Sequence, residues 1–178
     1  MGRLLPRRVH QVSQLLRQKY SKALDIYSSA LKKLATVSDG HEVRIVILNN
    51  KGVAERKLFR TSESLKTLMR QVRISVSSGN LAQACIAYGN MARIFIHLSR
   101  TEAAEDCLET MIEFASLGNI AEANESICYI SSQIAFMRGD SENAFDLINQ
   151  SIQLSIQSGK KRRLSLGLVK KGSMLLRL

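Results

Sequence analysis

A chain of 178 residues that repeats itself every 40 has few ways to fold. Gly52, Ala92, Ser132 and Gly172 are small residues at successive intervals of 40. Ala23, Ser64, Ala104 and Ala144 are spaced 41, 40 and 40, and each is followed four places later by a large residue: Tyr27, Leu68, Leu108 and Ile148. Leu58, Leu98 and Leu178 keep the same register, with Arg138 in the remaining place. A unit of this length is one supersecondary element that cannot bury its apolar face alone. Neighbouring units must stack and share a continuous core. A small residue on one helix lets its partner approach closely, and the large residue fills the space beside it.

Within each unit the apolar residues recur three and four apart, as in Leu24, Tyr27, Leu31 and Leu34, or Leu147, Ile148, Ile152 and Ile156, which is the helical period. Breaks fall at Asp39-Gly40, Leu58 to Thr61, Gly79-Asn80, Ser99 to Thr101, Gly118-Asn119, Gly139-Asp140 and Ser158-Gly159. Glycine or asparagine closes one helix, and Ser, Thr or Asn near the next start is able to cap it. Only Val43 to Leu48 is an ambiguous apolar patch. The spacing predicts about nine helices, over roughly 3–18, 20–36, 42–58, 61–77, 81–97, 101–117, 120–138, 141–157 and 160–177. The expected fold is therefore all-α. It is an α-solenoid in one superhelical domain over 1–178, with repeats at about 3–40, 41–80, 81–119 and 120–159 and a capping helix at 160–177.

Composition narrows the class. One proline and ten glycines exclude collagen-like and proline-rich chains. The longest uncharged stretch, Ile74 to Ala92, holds Ser75, Ser77, Ser78, Asn80, Gln83 and Asn90, so no transmembrane segment is expected. Cys85, Cys107 and Cys128 are an odd count without paired spacing. They indicate neither a disulfide framework nor a zinc site, and fit a reduced intracellular protein. Charge is segregated: residues 79–158 carry −7 and the rest carries +18. Such polarity implies a partner preference without naming the partner.

The segments Leu48-Asn49-Asn50-Lys51-Gly52, Asn90-Met91-Ala92-Arg93-Ile94-Phe95 and Arg138-Gly139-Asp140-Ser141-Glu142-Asn143-Ala144-Phe145 resemble tetratricopeptide repeats. Tyr20-Ser21-Lys22-Ala23-Leu24 and Arg100-Thr101-Glu102-Ala103-Ala104 resemble the opening of the second helix of such repeats. The 40-residue period is similar to the variant seen in Pins-type spindle-orientation adaptors and in rapsyn, and the resemblance spans nearly the whole chain. It implies a non-enzymatic binding module whose first helices line a concave groove. The positions so implied are Asn49, Asn50, Arg56 and Lys57, then Asn90, Arg93 and His97, then Tyr129 and Gln133, and finally Lys170, Ser173 and Arg177. Every charge among them is positive and the others are polar. An amide both donates and accepts, which suits a peptide main chain. Arginine adds bidentate capture of carboxylate. The expected partner is an acidic or extended segment of another protein. The chaperone-type carboxylate clamp is excluded, because Val53, Ser126 and Ile130 stand where it would need Asn, Lys and Arg.

Other features bear on partners and location. Lys51, Arg56, Lys57, Arg60, Lys66, Arg70 and Arg73 form a basic track that would suit RNA phosphates in a ribonucleoprotein or ribosome-associated setting. Only Phe59 and Tyr20 offer aromatic platforms there. The acid-free residues 1–24, with Leu5, Val9, Val12 and Leu16 on one face, resemble a mitochondrial presequence or a membrane-surface helix. A cytoplasmic location is the first expectation and a mitochondrial one the alternative. Lys160-Lys161-Arg162-Arg163 reads as a weak nuclear-import cluster, and Arg162-Arg163-Leu164-Ser165 resembles a basophilic kinase site at Ser165. Leu175, Leu176 and Leu178 end the sequence where a next helix would normally begin, which points to a basic cap, a truncation or a subunit contact. His10, His41 and His97 are scattered, and there is no HExxH, nucleophile elbow or glycine-rich phosphate loop. No catalysis, cofactor, metal or small-molecule substrate is therefore expected.

Overall fold

The computed structural model describes residues 4–36 and 40–177, with side chains from Ser13 onward. The Asp39 break, Leu178 and the side chains of the N-terminal basic stretch through Val12 lie outside the described residues. Among those described there are eight α-helices and no strand. They are α1 Leu4–Leu34, α2 His41–Lys57, α3 Thr61–Ser77, α4 Leu81–His97, α5 Thr101–Leu117, α6 Asn124–Met137, α7 Ser141–Gln157 and α8 Lys161–Leu175. A short 3₁₀ turn, Ala121–Ala123, leads into α6. Five of the helices are 17 residues long. No described helix is long and apolar enough to cross a membrane.

The turns explain this regularity. Phe59, Gly79, Ser99, Asn119, Gly139 and Gly159 all have positive φ, between 50° and 83°, and stand 20 residues apart. Each places one left-handed residue just past a helix end, and after five of them the next amide reaches back to an orphan carbonyl. Arg60 N–H donates to the Glu55 carbonyl at 2.9 Å, Arg100 to Phe95 at 2.9 Å, Ile120 to Ala115 at 2.8 Å, Asp140 to Ala135 at 3.0 Å and Lys160 to Ser155 at 3.0 Å. The following residue opens the next helix. Asn80 and Asp140 cap theirs by accepting from the amides of Gln83 and Asn143, each at 3.2 Å.

One expectation fails. The spacing predicts a turn near residue 19, but α1 runs unbroken for 31 residues. Gln18-Lys19-Tyr20 contains no glycine, asparagine or proline, so nothing there favours the left-handed conformation over continued helix. The described residues thus form eight helices rather than nine. Thr101 and Ser141 are the first residues of α5 and α7, as the spacing predicts.

The helices gather in two compact units, one ending at Ser78 and the other beginning at Gly79. In the first, α2 packs against both α1 and α3 around Leu24, Ile45, Leu48 and Leu68, each no more than 6% exposed. Gly52 marks the closest approach. A Cβ there would stand 2.8 Å from Leu68 Cδ2, and the Ser64 hydroxyl donates to the Gly52 carbonyl at 2.7 Å. In the second unit α4 pairs with α5 and α6 with α7, while α8 lies on α7. Its core includes Ile94, Met111, Ile130, Ile148 and Met174. In both, consecutive helices pack as in a helical solenoid, and of the predicted columns Ser64, Ala92, Ala104, Ser132, Ala144 and Ile148 are wholly buried, whereas Leu98 and Gly172 are exposed.

Candidate functional site

The twelve positions implied by the tetratricopeptide resemblance fall on α2, α4, α6 and α8, apart from Arg177, which follows α8. In the first unit, Asn49 is half-buried and donates to the Asn50 side chain at 3.4 Å. Asn50 and Lys57 are exposed and Arg56 is half-buried. These four share α2 but present two different sides of it. The buried side of α2 also holds Glu55, which accepts a hydrogen bond from the paired Lys51 ammonium, and that ammonium reaches Thr67 at 3.3 Å. That arrangement neutralises a carboxylate inside the unit and leaves the exposed side of α2 basic and amide-bearing.

In the second unit the site is better formed. The Arg93 guanidinium on α4 lies over the Tyr129 ring of α6, 5.4 Å from its centroid. Tyr129 in turn packs against the cluster of Ile148, Ile152 and Met174 contributed by α7 and α8. The ring is thus fixed from behind, and its face holds the cation in place. A guanidinium stacked this way keeps its edge donors in the plane that suits a carboxylate. Gln133 donates to the Tyr129 carbonyl at 3.2 Å within α6 and is only 8% exposed. Asn90, one turn before Arg93, is 7% exposed. Both amides therefore underlie the surface and support it. His97 is exposed at the last turn of α4.

The α8 positions form a separate group. Lys170 and Ser173 are half-buried and Arg177 is exposed. Burial, reinforced by the positive charge of Arg177, holds the Lys170 amine below its ordinary range. Two charged residues that the sequence did not reveal as a pair hold α8 to α6. Arg163 pairs with the buried Glu125 at 2.7 Å and also donates to Ser126 Oγ. Ser151 of α7 donates to the same carboxylate at 3.4 Å. No sequence signal marks this pair, because its members are 38 residues apart and each sits in an otherwise ordinary helix. The Ser165 hydroxyl is exposed and donates back to the Lys161 carbonyl at 3.0 Å. The cysteine thiols lie off this surface. Burial pushes Cys85 and Cys128 up, and burial with Asp106 pushes Cys107 up to about 11.

Compared with known proteins, the chain matches no protein-family model and no curated sequence.

Proposed function

We propose that this chain is a non-enzymatic tetratricopeptide-type adaptor that holds an acidic, extended segment of a partner protein, and that the α4–α6 surface of the second unit is the principal contact. The observation that carries this reading is Arg93 seated on Tyr129. An immobilised guanidinium loses less conformational freedom on binding than a free one. His97 on α4, and the separate group of Lys170, Ser173 and Arg177 at the end of the second unit, add donors and no negative charge. Affinity of this kind comes from several modest contacts and electrostatic steering, so it weakens as salt rises. The test is fluorescence anisotropy with a labelled Asp/Glu-rich peptide. Arg93→Glu should reduce its affinity by at least about tenfold, with the helical circular-dichroism spectrum unchanged. Equal affinity for wild type and variant would remove this reading.

One observation favours a second reading. Lys66, Arg70 and Arg73 are all exposed on α3, at helical spacing that puts them on one side. That row suits a phosphate backbone, as in an RNA-containing assembly.

A further inference from the structure

We infer that Ile86 of α4 is a specificity contact: the acidic segment held at Arg93 lies along α4, carries aliphatic side chains among its acids, and sets one of them on Ile86. The inference deepens the adaptor reading above and rests on it.

The repeat points to this position. Four, seven and eleven places after Ile86 come Asn90, Arg93 and His97, intervals that keep all four on one side of a helix. Ile86 is 42% exposed, so the stripe that ends in cations begins in an aliphatic side chain. The first unit independently shows the same order. Val46, 40 residues earlier on α2, is 50% exposed, with Asn50 four places on and Lys57 eleven. Val43, one turn before Val46, is exposed as well. In α6 the equivalent residue is Ser126, which is buried and accepts a hydrogen bond from Arg163 of α8. On α2 and α4, then, the position is apolar and open; on α6 it is polar and covered by the chain's own arginine.

Isolated aliphatic residues on a surface are ordinary, but this pair recurs at one repeat position and serves no local need. Valine and isoleucine are β-branched and form helix less readily than alanine, leucine or the long charged residues that suit an exposed site. Nor do they build the cores, which draw on Ile45 and Leu48 of α2 and Ile94 of α4. What Val46 and Ile86 share is a place at the apolar end of a stripe whose other end is basic.

The spacing along α4 sets the chemistry of the occupant. Seven residues of α-helix advance about 10 Å, a distance that an extended chain covers in about three residues. A segment that lies along α4 with a carboxylate on the Arg93 guanidinium therefore passes Ile86 within a few residues of that acid. A charged side chain there would lose water against the isoleucine and gain no hydrogen bond, whereas an aliphatic one removes apolar surface from water. The two contacts also differ in kind: salt screens the arginine contact and leaves the isoleucine contact in place.

Two labelled dodecapeptides of equal charge test this by fluorescence anisotropy, one alternating aspartate with leucine and the other aspartate with serine. Alternation offers a leucine near Ile86 in every register. The wild-type chain should bind the leucine peptide at least about fivefold more tightly, and this ratio should persist at high salt while both affinities fall. Ile86→Ala, which keeps a good helix former, should reduce the ratio to within about twofold, with the serine peptide's affinity and the helical circular-dichroism spectrum unchanged. Ile86→Leu should retain the preference. Equal affinity of the two peptides for wild type overturns this inference and leaves the adaptor reading standing. A leucine preference that survives Ile86→Ala also overturns it, because the preference would then arise elsewhere. If the wild-type chain binds neither peptide, the adaptor reading falls and the inference falls with it.

Discussion

Phe59 does what a glycine does in three of the five other turns. Its φ of 60° lies in the left-handed region, and its ring is 84% exposed. A side chain in that region costs about 1–2 kcal/mol, and an exposed ring returns little of it through burial. Phe59→Gly is therefore expected to raise stability by about 1 kcal/mol in urea denaturation, despite glycine's greater freedom in the unfolded chain. The reverse exchange at Gly139, whose φ is 83°, should lower stability by about 1 kcal/mol as Gly139→Ala. A loss at Phe59→Gly would mean that the ring makes a contact stronger than its strain. The thiols make a second expectation at this scale. With Cys107 pushed from an ordinary 9.0 to about 11, the folded chain holds that proton more tightly than the unfolded one. Its contribution to stability is complete below pH about 9 and is lost as pH rises towards about 11. At pH about 8 the native thiol is almost wholly protonated, so a disulfide reagent should modify it far more slowly than after unfolding in urea.

At the level of elements, the small-residue column gives opposite signs at its two ends. Gly52→Ala forces a methyl against Leu68 and should cost about 1–3 kcal/mol. Gly172→Ala meets nothing and should gain about 0.5–1 kcal/mol from helix propensity alone. Ala92→Leu, at a wholly buried position between them, should cost about 1–3 kcal/mol or more. Thermal melts of the three variants check the register directly. That register was legible in the sequence because it is local: α3, α4, α5 and α7 begin at Thr61, Leu81, Thr101 and Ser141, as the spacing predicts. Periodicity failed at residue 19, where a repeat length implies a turn but the residues present do not make one. It also could not see that Asn90 and Gln133 sink beneath the surface while Arg93 lies on Tyr129. Which side of a helix faces its neighbour depends on packing across α4 and α6, and small errors of phase move a residue from face to core. The Arg163–Glu125 pair was illegible for the same reason. Arg163→Ala would strand a nearly buried carboxylate and is expected to cost about 2–4 kcal/mol, part of it recovered by adding Glu125→Gln.

Across the whole molecule the charge divides unevenly. Residues 1–78 hold sixteen bases and five acids, whereas residues 79–178 hold ten of each. The first unit therefore carries all of the net charge, and the second is balanced, with its acids mainly on α5 and α7 and its bases mainly on α8. Two kinds of partner would read these surfaces differently. A phosphate backbone responds to the density of exposed cations and is indifferent to a single stacked arginine. An acidic peptide responds to the placement of a few donors. Reversing Lys66, Arg70 and Arg73 together to glutamate should abolish binding of single-stranded RNA and flatten its salt dependence, while leaving the acidic peptide's affinity within about twofold. Arg93→Glu should do the opposite. The comparison is made in one buffer at two salt concentrations, because an affinity for nucleic acid has no meaning without its ionic strength. If the triple α3 variant loses both ligands, attraction by net charge accounts for the binding, and the stacked arginine has no special part in it. If each variant loses only its own ligand, the two units present separate surfaces, and the adaptor reading rests on the geometry of Arg93 and Tyr129 rather than on basicity alone.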